Sequence, residues 1–296
     1  MALTSPGVVK STNEILVKLA PEINIVKQFA YDISNVVADY GDKIRVALVT
    51  GGVAESFSDS CADRNYEHAT GELSDVFVTL NDQPKSTITI SQMEKLELQN
   101  DSFWTRFAEA GANSIGKAIS TAIGGKFTTS ACAGGKVVLA FDDTKSEAYN
   151  RKQLAMLRTS CKGRIADTVL LLNPTNYATM LSLCPAQVYG NNDPILNGYV
   201  EKLYGFKAVV CAYDLPDGVT GALVPSNGLA IAIRPVAIPD PAAYPEADIV
   251  KDDENGFAIS VLRHTAFATG KAYLNATCLV GAELTQPENT CYLAAS

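Results

Sequence analysis

The sequence predicts an α+β fold that reaches beyond one compact globule, and three observations carry this reading. A helical apolar pattern runs from about residue 101 to Gly124-Gly125. Two alternating runs flank Asn81-Asp82-Gln83-Pro84 and read as a hairpin. Strands and helices then alternate through the middle third before a strand-rich end.

At the start, Ser11 and Glu14 have capping-box spacing, which satisfies the first free N–H groups of a helix. Ile15, Leu16 and Leu19 follow on one side until Pro21 interrupts, and Ile23, Val26, Phe29, Ala30 and Ile33 resume the period. Gly41-Asp42 marks a turn. Ile44, Val46 and Leu48 alternate with Arg45 and Ala47, which predicts a strand ending at Gly51-Gly52. Residues 55–75 are polar and aperiodic, a loop. Val76, Val78 and Leu80 alternate with Phe77 and Thr79, and Ser86, Ile88 and Ile90 alternate with Thr87 and Thr89.

The long helix begins at Asp101 or Ser102, both good N-caps. Phe103, Trp104, Phe107, Ala108, Gly111, Ile115, Ile119 and Ile123 share one face, with Trp104 as its core anchor. At 1.5 Å per residue the helix spans about 33 Å. Its many small residues let a neighbouring backbone approach closely.

A strand at 137–141 and a helix at 146–160 follow, the helix carrying an i,i+4 pair, Glu147 and Arg151. The continuous apolar run 168–172 reads as a buried strand. Asn173-Pro174 starts a helix whose stripe is Tyr177, Met180, Leu181 and Cys184, ended by Pro185. A helix is expected from Asp193-Pro194 to Tyr204 with Gly205 as its cap, then a strand at 206–212 and a turn at 215–218. Strands at 229–233, 257–263 and 273–280 complete the chain. A proline-rich connector, 235–245, and Gly270-Lys271 separate them.

Of the 296 residues, 47% are hydrophobic and 19% charged, a globular composition. With 24 Lys and Arg against 32 Asp and Glu, the net charge of −8 disfavours a dedicated nucleic-acid binder. No apolar run reaches the roughly 18–20 residues of a membrane span, so no membrane partner is expected. Nor does the start carry a basic stretch followed by an apolar one, so no signal peptide is expected. The seven cysteines are scattered and never form CxxC, which fits free thiols in a reducing compartment. Two histidines, His68 and His264, are scant material for a zinc site or a His-based triad.

Residues 111–118, GANSIGKA, nearly match a phosphate-binding loop. Ala118 replaces the hydroxyl that holds magnesium, however, and the match falls inside a helical period, where the N–H groups are already used. A tightly packed Gly/Ala helix face is the better reading. Gly51-Gly52 lacks the rest of a dinucleotide fingerprint. Gly134-Gly135-Lys136 reads as a turn before a strand, and Asp142-Asp143 and Asp252-Asp253-Glu254 fit exposed turns. No G-x-S-x-G elbow exists. No catalytic residue, cofactor or metal site is expected.

An isolated two-stranded hairpin is marginal in water, so its natural use is to lie on a neighbouring copy. Several stretches carry a resemblance that fits this use. They are Phe29-Ala30-x-Asp32 with 40–46, YGDKIRV, then 76–83, VFVTLNDQ, with Ile88 and Glu94-Leu96-Glu97-Leu98. Residues 203–210, LYGFKAVV, with Leu215-Pro216, and Gly256-Phe257-Ala258-Ile259 with Gly281-Ala282 continue the series. In this order the chain resembles the major capsid (coat) proteins of tailed double-stranded DNA bacteriophages, most of all those of short-tailed phages and related prophages.

The resemblance implies a division of the chain. Residues 1–48 form an N-terminal arm and first strand, 49–98 an extended loop with hairpin, and 99–124 a spine helix. Residues 125–233 form an axial α/β domain, and 234–296 the peripheral strands and C-terminus. It implies pentamers and hexamers closing into an icosahedral head, assembled in the bacterial cytoplasm around non-specifically contacted DNA. A portal is implied too, and a separate scaffolding protein, since no long scaffolding segment is visible. The expected inter-subunit residues are Val76, Val78, Leu80, Asp82, Lys85, Ile88 and Ile90. Deleting 82–85, or placing charges at Val78 and Ile88, is expected to block assembly and leave a folded subunit. The rivals are an encapsulin-like shell and, further off, a cytoplasmic α/β enzyme using a nucleotide at Gly51-Gly52.

Overall fold

The computed structural model describes residues 6–34, 39–49, 73–90, 101–142, 145–183, 199–212, 214–238, 246–251, 256–266 and 270–295. Its first part holds α1 (Pro6–Lys27), β1 (Ala30–Asp32), β2 (Lys43–Val49), β3 (Leu73–Thr79), β4 (Lys85–Ile90) and α2 (Asp101–Gly124). The middle holds β5 (Lys136–Val138), α3 (Glu147–Ser160), β6 (Thr168–Leu172), α4 (Pro174–Ser182), β7 (Tyr199–Glu201), β8 (Ala208–Cys211) and β9 (Gly221–Pro225). The end holds β10 (Leu229–Arg234), β11 (Glu246–Lys251), β12 (Ala258–Ala266), β13 (Lys271–Thr277), β14 (Leu279–Leu284) and β15 (Cys291–Ala294).

The long helix is where its periodicity puts it. Trp104, Phe107, Ala108, Ala112, Ile115, Ile119 and Ile123 of α2 are all buried. The rings of Phe103 and Phe107 meet Trp104 edge-on at 5.6 and 6.4 Å. α1 packs on this face through Ile15, Leu16, Leu19 and Ile23. Two glycines of the loop-like stretch set the approach. A Cβ at Gly111 would lie 3.2 Å from Ile15 Cδ1, and one at Gly116 would lie 2.0 Å from Glu22 Oε2. The stretch is a packing face inside a helix.

α1 differs from its expectation. It is one helix of 22 residues with Pro21 inside it, and Ser11 and Thr12 are buried within it. Pro21 removes a single N–H from the helical ladder, while Ile15, Leu19 and Ile23 stay on one buried stripe across it.

A six-stranded sheet, in the order β5-β15-β9-β6-β8-β7, forms the heart of the middle part. Alternate residues of β6 serve two cores. Val169 and Leu171 join the α1–α2 core, and Leu170 and Leu172 pack with Leu154, Leu157, Tyr177 and Met180 beneath α3 and α4. Cover on both faces explains why 168–172 carries no polar alternation. Asn173 caps α4 by accepting from the Asn176 N–H at 2.9 Å, and Ser146 caps α3 by accepting from the Tyr149 N–H. Asn173→Ala should cost about 1 kcal/mol, read as a lowered urea midpoint at unchanged m-value.

Two other expectations are corrected by the sheets. Residues 199–201, expected in a helix, form edge strand β7 against β8. Lys202, Tyr204 and Gly205 take φ of 52°, 52° and 84°, which no right-handed helix accommodates. Residues 193–198 of that expected helix lie outside the described residues. The expected strand 273–280 divides at Cys278 into β13 and β14, whose partners are β12 with β4 and β10 respectively. β15 completes the middle sheet, and β10 joins β1 and β14 in a three-stranded sheet.

The described cysteines, Cys132, Cys161, Cys211, Cys278 and Cys291, are free thiols. Burial pushes Cys278 up to about 12 and Cys132 up to about 11, so both stay neutral in the core. Gly51-Gly52, His68, Cys61, Cys184, Pro185 and the acids 252–254 lie outside the described residues.

Candidate assembly surface

β2 and β3 form a two-stranded antiparallel ribbon with Ile44 opposite Val78, Arg45 opposite Phe77, and Val46 opposite Val76. Its root is closed by backbone bonds, Gly41 N–H to Leu80 O at 2.7 Å and Leu80 N–H to Asp42 O at 3.1 Å. Because side chains alternate, the ribbon has two unlike faces. On the inner face, Ile44, Val46, Val78 and Leu80 pack with Ile33, Ala230, Ala232 and Leu279. Gly281 of β14 lets β3 cross closely, since a Cβ there would lie 2.7 Å from Thr79 O.

The outer face carries Arg45, Phe77, Ala47, Asp75 and Leu73. Phe77 is 51% and Leu73 69% exposed. Arg45 Nε donates to Asp75 Oδ1 at 2.7 Å across the strands. This mixture of exposed aromatic, aliphatic and charged groups suits a wet, moderate protein contact. Tyr40, also exposed, lies beside the root.

The expected hairpin of 76–90 is not formed. β3 pairs with β2, whereas β4 pairs with β13, with Ile90 opposite Ala272 and Ile88 opposite Leu274. The apolar sides of the two strands go to different cores, Val78 and Leu80 to one and Ile88 and Ile90 to the other. A four-residue turn permits a hairpin, but burial of two separate faces outweighs it.

The supposed tip is stitched down. Asp82 O accepts from the Val280 N–H at 2.8 Å, and Pro84 O accepts from Thr277 Oγ1 at 2.9 Å. Of the expected contact residues, Val78, Leu80 and Ile90 are buried within the chain itself. Val76 and Ile88 are half-buried, and Asp82 and Lys85 are exposed. A charge at Val78 is therefore expected to act on folding. The outward residues Phe77 and Leu73 escaped the sequence reading. Phe77 was legible, as the one large aromatic on the opposite side of the Val76-Val78-Leu80 alternation.

Among the described residues, no group of His, Cys, Asp and Glu has metal-binding geometry. No described helix is long and apolar enough to cross a membrane. His264 stacks on Tyr273 at 5.0 Å.

No family model and no curated protein matches the sequence. Solved structures do match. The virus-like particle from Pyrococcus furiosus aligns over 96% of this chain and 97% of its own, with TM-score 0.56 at 13% identity. The capsid of a native GTA particle aligns over 93% and 90%, with TM-score 0.54 at 16% identity. The capsid of Ralstonia phage GP4 aligns over 90% and 87%, with TM-score 0.53 at 12% identity. The chain has the tailed-phage major capsid fold.

Proposed function

We propose that the chain is the structural subunit of an icosahedral phage head, self-associating as pentamers and hexamers around double-stranded DNA. The observation that carries the reading is the ribbon. In a capsid fold it turns Phe77 and Leu73 away from the chain's own core. Apolar burial contributes roughly 25 cal/mol per Å2. Each copy of such a contact is thus modest, and symmetry repeats it into a closed shell. Arg45, Leu73, Asp75 and Phe77, with the exposed Asp82 and Lys85, form the proposed contact with a neighbouring subunit. The six-stranded sheet and its covering helices α3 and α4 face the capsomer centre. A separate scaffolding protein, a portal and non-specific DNA contact on the inner face complete the proposal, in a virion built in the host cytoplasm. The subunit works by association and carries no reaction of its own. The short-tailed branch remains the family reading of the sequence resemblance.

The similarity to a virus-like particle supports a second reading, an encapsulin-like compartment. Negative-stain microscopy and light scattering of the purified protein, with and without a candidate scaffolding protein, test both. Closed particles are the expected result, with DNA inside a phage head and protein cargo inside a compartment. A protein that stays monomeric under every assembly condition overturns both.

A further inference from the structure

Strands β6 and β8 run parallel, so both enter the six-stranded sheet from one edge, and the loops that lead into them, 161–167 and 202–207, lie side by side there. Backbone bonds stitch this edge together. Lys207 N–H donates to Thr168 O at 2.9 Å, and Ser226 N–H, from the turn after β9, donates to Asp167 O at 2.6 Å. The last turn of α3 joins the same edge, since the Arg158 guanidinium lies over Gly205, where a Cβ would meet it at 3.2 Å. The two loops carry Lys162, Arg164, Lys202 and Lys207 against one acid, Asp167. Lys207 turns inward and donates to Gln28 O and Ser226 Oγ, both at 2.8 Å. Arg158, Lys162, Arg164 and Lys202 are exposed. Arg164 meets Asp167 at 3.5 Å, but both groups stand largely in water, so that pair is weak. A chain of net charge −8 thus gathers cations at one edge of one sheet. These loops expose no large apolar side chain, unlike the outer face of the ribbon with Phe77 and Leu73. Protein contacts centre on apolar and aromatic groups and are depleted in Lys, whereas a phosphate backbone is met by Lys and Arg alone.

We propose that this edge is the surface that meets double-stranded DNA, with Arg158, Lys162, Arg164 and Lys202 contacting backbone phosphates and reading no bases. The proposal rests on the reading of the chain as a DNA-enclosing head, and it assigns the inner contact to the edge from which β6 and β8 enter. Phosphate contacts carry no sequence information, which suits a lining that must accept any sequence. The acidic remainder of the surface repels the duplex, so contact is confined to this edge.

The test measures binding of the purified protein to a short labelled duplex of mixed sequence by fluorescence anisotropy, from low to physiological salt. Contact with about 3–4 phosphates gives a slope of about −3 to −4 in log affinity against log salt. Lys162→Gln and Lys202→Gln should each weaken binding and reduce the steepness of that slope by about 1, equally for any duplex sequence. Lys162→Arg and Lys202→Arg should keep the slope. Lys251→Gln, at an exposed cation on β11 of another sheet, should leave binding unchanged. Light scattering of the same variants reads shell assembly separately. Gln variants that assemble normally yet lose salt-dependent binding are the expected result. Unchanged DNA binding in both Gln variants, or an equal loss in Lys251→Gln, overturns the proposal. Gln variants that bind DNA normally but fail to assemble overturn it too, and make the edge a contact with an acidic face of a second copy. A wild-type protein that binds DNA through this edge but never forms particles overturns the shell reading and leaves the phosphate contact in place.

Discussion

Val78→Asp is expected to unfold the chain, whereas Phe77→Asp, one residue earlier, is expected to leave it folded and stop it assembling. The side chain of Val78 is fully buried among Ile44, Leu80, Ala230 and Leu279. The side chains of that cluster are all apolar. An unpaired buried charge costs about 3–5 kcal/mol, a large share of the roughly 5–15 kcal/mol that holds a domain folded. Phe77 points the other way and is half exposed, so a charge there should change folding stability by no more than about 0.5 kcal/mol. Its cost falls on any partner surface that must desolvate it. Urea denaturation reads the first effect and light scattering the second. Equal destabilisation by both substitutions would contradict the two-faced ribbon. A Phe77→Asp protein forming normal shells would remove the outer face from the contact.

Gly124→Ala is the second large effect, with an expected loss of about 3 kcal/mol or more in urea denaturation. A Cβ at this position would lie 1.7 Å from the main-chain oxygen of Asp214. That neighbour is backbone, so it cannot swing aside as a side chain would. The end of α2 and the segment after β8 must separate instead. Two controls isolate the cause. Gly218→Ala meets no atom within 4 Å but sits at φ +80°, so it should cost only about 1 kcal/mol through backbone strain. Gly163→Ala has neither obstacle and should be near neutral or slightly stabilising. A Gly124→Ala protein as stable as Gly163→Ala would show that the two segments do not touch as described.

Elements specified by neighbours in sequence were legible. α2, α3, β6 and the Asn173 cap each rest on a local period or a short-range bond, and each stands where its pattern places it. Choice of partner was not legible. The alternation in 76–80 and 86–90 told which side of each strand is apolar, but not that one side belongs to the ribbon core and the other to the α2 core. Ribbon pairing joins 43–49 to 73–79 across a long intervening segment, and no local pattern marks it. Val78, Leu80 and Ile90, on the apolar sides of these strands, are buried within the chain, while Phe77 and Leu73 are exposed. Residues 199–204, the described end of the helix expected at 193–204, differ for a related reason, because β7 is held by β8 rather than by its own propensity.

The place of β15 in the middle sheet bears on the order of events during synthesis. It lies between β5 and β9 and, among the described residues, is the strand that holds β5 to the others. A nascent chain on the ribosome therefore carries β5 through β9 with an open slot until residues 291–294 emerge, more than 150 residues after β5. The slot closes only by a contact distant along the polypeptide, the slowest kind to form. Chains stalled before that point present an unfilled strand edge, and quality control by chaperones and proteases has a defined feature to recognise.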